Sequence, residues 1–289
     1  MNYSDFLKKI ENYTCGGKYF VKQIGESAFG RKIFAIEKIN GKKLPTAILV
    51  AGIHARENIT CDVVCKMLDE NLFDDIFDFN VSVIAMANPD GVELSKSGVT
   101  SAPLDYRSKL IEINCNMNDF SMWKANGRGV DLNNNFDAGF GKNSVKNSFS
   151  SSGYQGAYPL CEPESKSIFD YTISANPFFS VSYHSKGEEI YFNYFQKGKR
   201  LERDEKIAKM FADKTGYAIK NPERVSSGGY KDFCVEKLKI PAITIEVGSD
   251  DLNHPISEKY LDEIFEKNKD ICFCLKYAYS IFCEYFGLI

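Results

Sequence analysis

The sequence lacks long hydrophobic runs and has no large excess of charge of one sign. None of its apolar stretches approaches the roughly 20 residues that a membrane-spanning helix needs. The formal net charge is -3, and no long block of one sign occurs along the 289 residues. These absences argue against a membrane protein and against a nucleic-acid-binding surface. They favour a globular protein with an ordinary apolar core.

A secretory signal is also missing from the sequence as given. The first ten residues (MNYSDFLKKI) contain no apolar segment of the kind that precedes a cleavage site. We therefore expect the nine cysteines to be reduced thiols of a cytoplasmic protein. Two close pairs, Cys61/Cys65 and Cys272/Cys274, have no matching second pair, so they are predicted to be core thiols rather than zinc ligands.

Internal repeats, low-complexity stretches and proline-rich linkers are absent, which predicts one domain over residues 1–289 with a short helical lead-in at 1–20. Strand-like runs such as Val81–Ala87 alternate with segments of helical periodicity, among them one long helix predicted over Glu258–Phe286. This alternation predicts an α/β fold: a mixed, mostly parallel twisted sheet of about eight strands, with helices on both faces. Residues 139–156 are predicted to form a surface loop.

Histidine is scarce, with only His54, His184 and His254. His54 follows an apolar strand and precedes Glu57 by three residues at a helix start, and His184 ends another predicted strand. Two imidazoles and one carboxylate hold a zinc ion and leave a fourth position open, as catalytic zinc requires. His254 lies beside Pro255 and is predicted to be a surface turn residue. From these residues alone, local packing of the histidines stays open as an alternative.

Glu246 ends a third predicted strand, Ala242–Val247. A carboxylate at the end of a buried strand costs desolvation free energy unless another group compensates it. Beside a zinc ion this carboxylate can accept a proton. A salt-bridged glutamate at a strand end is the alternative that the pattern leaves open.

Four motifs resemble the zinc carboxypeptidase family, in the family's order and spacing. They are His54–Glu57 (HARE), Gly129–Asn133 (GVDLN), Ser182–Ser185 (SYHS) and Thr244–Glu246 (TIE). The resemblance extends from about Ile24 to Gly248, nearly the whole chain. It implies a carboxypeptidase-like fold, a peptide substrate and one Zn²⁺ ion. The metal ligands that it implies are His54, Glu57 and His184.

The resemblance also implies catalytic roles and reveals departures from the family pattern. Glu246 is implied as the general base for zinc-activated water, and Arg56 and Asn133 as residues that contact substrate. Asn134 occupies the position of the arginine that binds a substrate's C-terminal carboxylate, so ordinary C-terminal trimming is in doubt. Arg224 occupies the position of a mobile tyrosine.

Three further cations belong to the predicted site. Lys124 occupies the position of an oxyanion-stabilising arginine, and Arg128 lies close enough in sequence to take that role instead. Lys231 falls on the position that sets side-chain preference at the pocket floor, where a cation suits a substrate side chain that ends in a carboxylate. Ordinary surface charge is the alternative for each of the three.

The stretches 123–136, 182–192 and 226–233 resemble a narrower bacterial branch, the γ-D-glutamyl-meso-diaminopimelate peptidases. This resemblance implies a cell-wall stem peptide as the substrate. Two alternatives stay open: a general metallocarboxypeptidase or amidohydrolase of the same fold, and a catalytically inactive binding protein. The sequence does not indicate the oligomeric state.

Overall fold

The computed structural model describes residues 1–142, 146–220 and 228–287. The strands within these ranges are β1 Phe20–Glu26, β2 Lys32–Lys38, β3 Thr46–Val50, β4 Asn80–Ile84, β5 Phe179–His184, β6 Glu189–Tyr191, β7 Ala218–Lys220 and β8 Ala242–Glu246. The helices are α1 Tyr3–Cys15, α2 Ile59–Asp69, α3 Pro89–Ser97, α4 Leu104–Ile113, α5 Pro163–Ala175, α6 Lys199–Thr215, α7 Tyr230–Phe233, α8 Leu261–Asn268 and α9 Ile271–Phe286. None of the described helices is long and apolar enough to cross a bilayer.

The described strands form one eight-stranded sheet in the order β1-β2-β4-β3-β5-β8-β6-β7. Four neighbouring pairs are parallel, namely β3 with β4, β3 with β5, β5 with β8, and β6 with β7. The other three pairs are antiparallel. The prediction of a mixed, mostly parallel α/β sheet of about eight strands is therefore confirmed.

Apolar side chains on both faces of the sheet explain why helices cover both. Along β3, Ala47 and Leu49 point into a core shared with α1, α2, α6, α8 and α9. Ile48 and Val50 point into a second core, shared with α5 and α7. A strand buried on both faces reads as a continuous apolar run, which is how β3 and β4 could be recognised from sequence.

The register of the three central strands decides where polar side chains meet. β3, β5 and β8 are parallel neighbours, so their carboxyl ends lie at one edge of the sheet. In the β5–β8 pair, His184 is the direct partner of Glu246. The chain segment that follows β3 begins at the same edge, beside His184 and Glu246. Ligands bind outside this edge in open α/β sheets.

The C-terminal segment forms two helices instead of the one that the sequence predicted. The single helix over Glu258–Phe286 is wrong, because α8 ends at Asn268 and α9 begins at Ile271. The Asn268 side chain donates hydrogen bonds to the Ile264 carbonyl (2.9 Å) and to the Tyr217 hydroxyl (3.1 Å). Such side-chain bonds compete with helix continuation, and the bend lets α8 pack on α2 while α9 packs on α6.

The helical lead-in is present as α1, whereas a single catalytic domain bounded by residues 1 and 289 stays a prediction. In the predicted surface loop at 139–156, residues 141, 142 and 146–149 are exposed, most of the other described residues are half-buried, and Gln155 and Gly156 are buried. Part of that loop, residues 143–145, lies outside the described residues.

Candidate active site

The chain that leaves β3 turns sharply to present the first two candidate ligands. Gly52 has φ +65°, and a Cβ placed there would lie 2.4 Å from the Cys61 sulfur, so a side chain does not fit. His54 then precedes a single 3₁₀ turn that brings Glu57 back to its side. Thr60 ties this turn together, because its hydroxyl donates to the Glu57 carbonyl (2.8 Å) and accepts from the Gly52 N–H (3.0 Å).

His54, Glu57 and His184 converge on one point. His54 Nδ1 lies 2.9 Å from Glu57 Oε1, and His184 Nδ1 lies 3.0 Å from Glu57 Oε2. The two Nδ1 atoms are 3.1 Å apart. Ligand atoms of a tetrahedral zinc ion with bonds of about 2.0 Å are separated by about 3.3 Å. The spacing and the His₂Glu donor set therefore fit one zinc ion, and all three residues are buried.

A buried carboxylate lies behind His54, on the side away from the cluster. Asp131 Oδ1 is 3.2 Å from His54 Nε2, and neither atom has a hydrogen-bonding partner elsewhere in the described residues. Asp131 Oδ2 lies 3.1 Å from Lys124 Nζ. A carboxylate beside Nε2 favours the proton on that nitrogen and leaves Nδ1 with a lone pair for a metal. The sequence interpretation used this segment only for Asn133 and missed Asp131.

The charges of the cluster support cation binding. Burial by itself raises the pKa of Glu57, but His54 and His184 outweigh burial and hold this pKa well below its usual range. Burial acts in the same direction on Asp131, and Lys124 and His54 hold the pKa of Asp131 far below its usual range. Both groups are therefore carboxylates at neutral pH. One can bind a metal directly, and the other orients its histidine ligand.

Glu246 differs from these carboxylates. Burial raises the pKa of Glu246 to about 7, and the Glu57 charge adds to this increase, while His184 opposes it. A divalent cation in the cluster lowers this pKa, because it favours the charged form. A buried carboxyl group with a raised pKa at the edge of a cleft is suited to proton transfer near neutral pH.

These groups open into one cleft of about 500 Å³. The cleft is lined by six residues that the sequence placed in the site: His54, Lys124, Asn133, His184, Lys231 and Glu246. The cleft is also lined by residues 191 and 193–197 and by Asp232, which the sequence interpretation did not select. Residues 193–197 lie in a stretch without periodicity or a known motif, whereas residue 191 and Asp232 lie in the stretches 182–192 and 226–233 that resemble the narrower branch but were not selected individually.

Lys124 and Arg128, the two candidates for the oxyanion-stabilising cation, lie in different places. Lys124 lines the cleft. Burial lowers the pKa of Lys124, but Asp131 and Glu57 outweigh burial and raise it overall, so the ammonium stays charged. Arg128 Nη1 lies 3.8 Å from Glu162 Oε2 and borders a separate surface depression. The Asn126 side chain explains this, because it accepts from the Arg128 N–H (3.0 Å) and fixes a turn that directs Arg128 away from the cleft.

Lys124→Met is expected to lower kcat by about 10²- to 10³-fold, the cost of removing one oxyanion donor. Arg128→Met is the matched control, because it removes a cation from the same segment but from outside the cleft, and it should change kcat by less than about 3-fold. Steady-state kinetics on zinc-loaded variants measures both. Equal losses in the two variants would contradict the assignment of Lys124.

The other predicted substrate-contacting residues are not all in the cleft. Asn133 lines it, and its side-chain oxygen accepts from the Tyr230 N–H (3.0 Å). Arg56 flanks the ligand cluster, and its Nε is buried without a hydrogen-bond partner in the described chain. The side chain of Asn134 is not among the described groups that line the cleft. Arg224 lies outside the described residues.

Lys231 is not a solvated surface lysine, because only 8% of its surface is exposed. It lines the cleft, forms an ion pair with Asp232 and donates to the Asn193 carbonyl (3.2 Å). The structure therefore places a cation in the lining of the cleft with an anion beside it, and the role of Lys231 in selecting the substrate side chain stays a prediction.

His254 corrects a further expectation. It is half-buried rather than a surface turn residue, and its Nδ1 is buried with no hydrogen bond in the described part of the chain. Burial lowers the pKa of His254, and the Glu57 charge opposes this decrease, which indicates that His254 lies near the ligand cluster. Asn253 and Pro255 on either side of His254 indicate a turn, and for that reason the sequence predicted a surface position.

Three of the four paired cysteines are buried, as core thiols are expected to be. Cys61 and Cys65 are buried free thiols, as predicted, and burial raises the pKa of both. Cys274 is buried as well, but Cys272 is only half-buried. Raised thiol pKa values make these groups poor metal ligands and poor nucleophiles.

A comparison with known families matches residues 6–271 to the zinc carboxypeptidase family. This chain belongs to that family. Gamma-D-glutamyl-L-diamino acid endopeptidase 1 of Lysinibacillus sphaericus is 31% identical over 262 residues, which are 84% of this chain and 64% of the relative. Bovine carboxypeptidase A1 is 30% identical over 183 residues, 60% of this chain and 41% of the relative. This zinc carboxypeptidase family member thus spans less than two thirds of the length of either relative.

Solved structures show the same fold. Thrombin activatable fibrinolysis inhibitor aligns with a TM-score of 0.79 at 19% identity, covering 97% of this chain and 74% of that one. The murein-tripeptide amidase of Escherichia coli O157 aligns with a TM-score of 0.58 at 17% identity, covering 87% and 91%. The resemblance to zinc carboxypeptidases that the four motifs indicated is confirmed.

Proposed function

We propose that this zinc carboxypeptidase family member is a metallopeptidase that hydrolyses the γ-D-glutamyl-meso-diaminopimelate bond of peptidoglycan-derived peptides. The observation that carries the proposal is the convergence of His54, Glu57, His184 and Glu246 at one end of a cleft that also holds a buried lysine. A zinc ion held by the first three residues supplies Lewis-acid polarisation of a carbonyl and lowers the pKa of water.

The chain's own residues perform the remaining steps. The Glu246 carboxylate accepts a proton from the attacking water and then delivers it to the leaving amine. Lys124 lies beside the ligand cluster and donates to the carbonyl oxygen as that oxygen becomes negative. Asp131 holds the His54 ring in the tautomer that leaves Nδ1 available. Burial and neighbouring charges shift the pKa of each residue in the direction that its role needs. The pKa values of Glu246 and Lys124 are raised, and that of Asp131 is lowered.

Four observations support the substrate class. The Lysinibacillus sphaericus relative is named for a γ-D-glutamyl-L-diamino acid bond, and one solved structure of this fold is named for a murein tripeptide. Asn134 replaces the arginine that a carboxypeptidase uses for a free C-terminal carboxylate, and Asn cannot form that bidentate contact. Lys231 supplies a buried cation in the cleft. Together these favour a stem peptide over a neutral C-terminal residue.

The cysteine content favours a reducing compartment as the site of action. All nine cysteines are free, including the exposed Cys15 and Cys115. Exposed free thiols persist in the cytoplasm and oxidise in secretory compartments. We therefore propose that the substrates are peptides released from the wall rather than the wall itself.

The test of this proposal compares two substrates on the zinc-loaded protein. L-Ala-γ-D-Glu-meso-diaminopimelate should be cut at the γ-linked bond roughly 10²-fold faster in kcat/KM than an N-acylated peptide ending in Phe, because a site built around charge rejects a substrate that lacks it. Mass spectrometry of the products identifies the bond. Faster release of Phe would indicate a general metallocarboxypeptidase. Stoichiometric zinc without hydrolysis of either peptide would indicate an inactive binding protein.

A further inference from the structure

Lys231 and Asp232 place two opposite charges side by side in the wall of the cleft. They are consecutive residues at the start of α7, and only 8% and 4% of their surfaces are exposed. They form an ion pair with each other, and both line the same cleft as the ligand cluster. A buried charge that is not paired is costly, so the pair explains how both can be buried.

The pair is held in place from several sides. Lys231 Nζ donates to the Asn193 carbonyl (3.2 Å) and lies 5.6 Å from the centre of the Tyr194 ring. Asp232 Oδ2 accepts from the Gly229 N–H (3.0 Å) at the start of the helix. Both charges are therefore oriented before a substrate enters, which lowers the cost of binding.

The chain segment that contacts Lys231 is fixed as well. The Gln196 side chain is buried and donates to the Phe192 carbonyl (2.9 Å) and to Asp204 (3.0 Å). Its oxygen accepts from the Tyr194 N–H (2.5 Å). These bonds anchor the segment that carries Asn193 and Tyr194, so the position of Lys231 depends on a rigid frame.

The charge balance of this pair restricts what binds beside it. Lys231 and Asp232 together have no net charge. A substrate side chain that ends in a carboxylate alone adds one uncompensated negative charge to a buried place, and one that ends in an ammonium alone adds one positive charge. A terminus with both groups adds no net charge, and each of its charges meets an opposite one. Unpaired buried charge is the costly outcome.

We propose that Lys231 and Asp232 together form a subsite for a zwitterionic side-chain terminus, with Lys231 binding its carboxylate and Asp232 its ammonium group. An ammonium and a carboxylate on one carbon are as close together as the two charges of the contacting pair. The inference rests on the proposed function, because the distal centre of meso-diaminopimelate has this chemistry. It refines that proposal, because the Asp232 carboxylate takes part in substrate recognition beside the Lys231 ammonium group.

Four γ-D-glutamyl peptides that differ only in the residue after the bond test the subsite. That residue is meso-diaminopimelate with both distal charges, lysine without the distal carboxylate, 2-aminopimelate without the distal amine, or norleucine with neither. The wild type should have its highest kcat/KM with diaminopimelate, at least about 10-fold above lysine and above 2-aminopimelate.

Two variants assign the two charges. Lys231→Met should reduce the ratio of kcat/KM for diaminopimelate over lysine towards 1. Asp232→Asn should do the same for diaminopimelate over 2-aminopimelate, and the amide oxygen can still accept from the Gly229 N–H. Lys237→Met is the matched control, because Lys237 pairs with the exposed Asp137 outside the cleft. It should preserve both ratios. Circular dichroism and zinc content verify that each variant is folded.

A binding measurement separates this inference from the proposed function. Calorimetry with zinc-loaded protein compares the four residues as Nα-acetyl α-amides, in which only the distal terminus differs and whose affinity does not depend on which bond the protein cuts. Tighter binding of meso-diaminopimelate, by about 10-fold over lysine and 2-aminopimelate, supports the subsite even if no γ-D-glutamyl peptide is hydrolysed. A wild type that prefers 2-aminopimelate, binds the four alike or binds none of them overturns it, as do variants with unchanged ratios.

Discussion

His184→Ala is expected to remove stoichiometric zinc and to lower hydrolysis below detection. His184 supplies one of three buried ligand atoms that lie within 4.8 Å of one another. The remaining His54 and Glu57 are adjacent on one turn and hold a zinc ion too weakly to keep it through dialysis, because such sites use three protein ligands. Elemental analysis after dialysis against a weak chelator measures the metal, and the peptide assay measures the activity.

His254→Ala is the matched control for this experiment. His254 lies near the same cluster, but its side chain is not one of the three converging ligands. The control should keep one zinc ion per chain. A folded His184→Ala protein that retains one zinc ion per chain would show that the ligand assignment is wrong.

Glu246→Gln is expected to keep zinc and fold but to lose about 10²- to 10⁴-fold in kcat, the usual contribution of a general base. The amide has nearly the same shape as the carboxylate and cannot accept the proton. Glu189→Gln is the control, because Glu189 is the direct cross-strand neighbour of Glu246 and bonds to the Tyr191 hydroxyl instead. Wild-type kcat in Glu246→Gln would remove this residue from the mechanism.

The pH profile gives a second signature of Glu246. Because burial raises the pKa of this carboxyl group to about 7 and a bound cation lowers it, we expect the acid limb of kcat/KM to lie below pH 7. Activity falls as the pH decreases through that limb, since the protonated form cannot act as a base. The residual activity of Glu246→Gln should lack this limb.

The strands away from the centre of the sheet show which parts of the fold the sequence could not predict. β6 and β7 have three residues each, too few to produce a period-2 pattern. β1 is an edge strand with mostly exposed side chains, and it has no continuous apolar run. By contrast, β3, β5 and β8 are central strands buried on both faces, and their apolar runs identified them as strands in the sequence. These three strands carry or precede the site.

The sequence by itself determined the fold class, and it predicted four site residues that the structure brings together at one edge of the sheet. His54, Glu57, His184 and Glu246 could be selected because few residue types bind zinc or transfer protons, and because each lies at or just after a recognisable strand. Parallel neighbours bring such positions to one edge of a sheet, so their meeting required no knowledge of individual contacts.

Only the tertiary structure decided which of the remaining charged residues enter the cleft. The bonds of Asn126 direct Arg128 away and leave Lys124 beside Asp131. The start of α7 places Asp232 next to Lys231 inside the cleft. The direction of a charged side chain depends on turns and on partners distant in sequence, and neither is encoded in periodicity or in a motif.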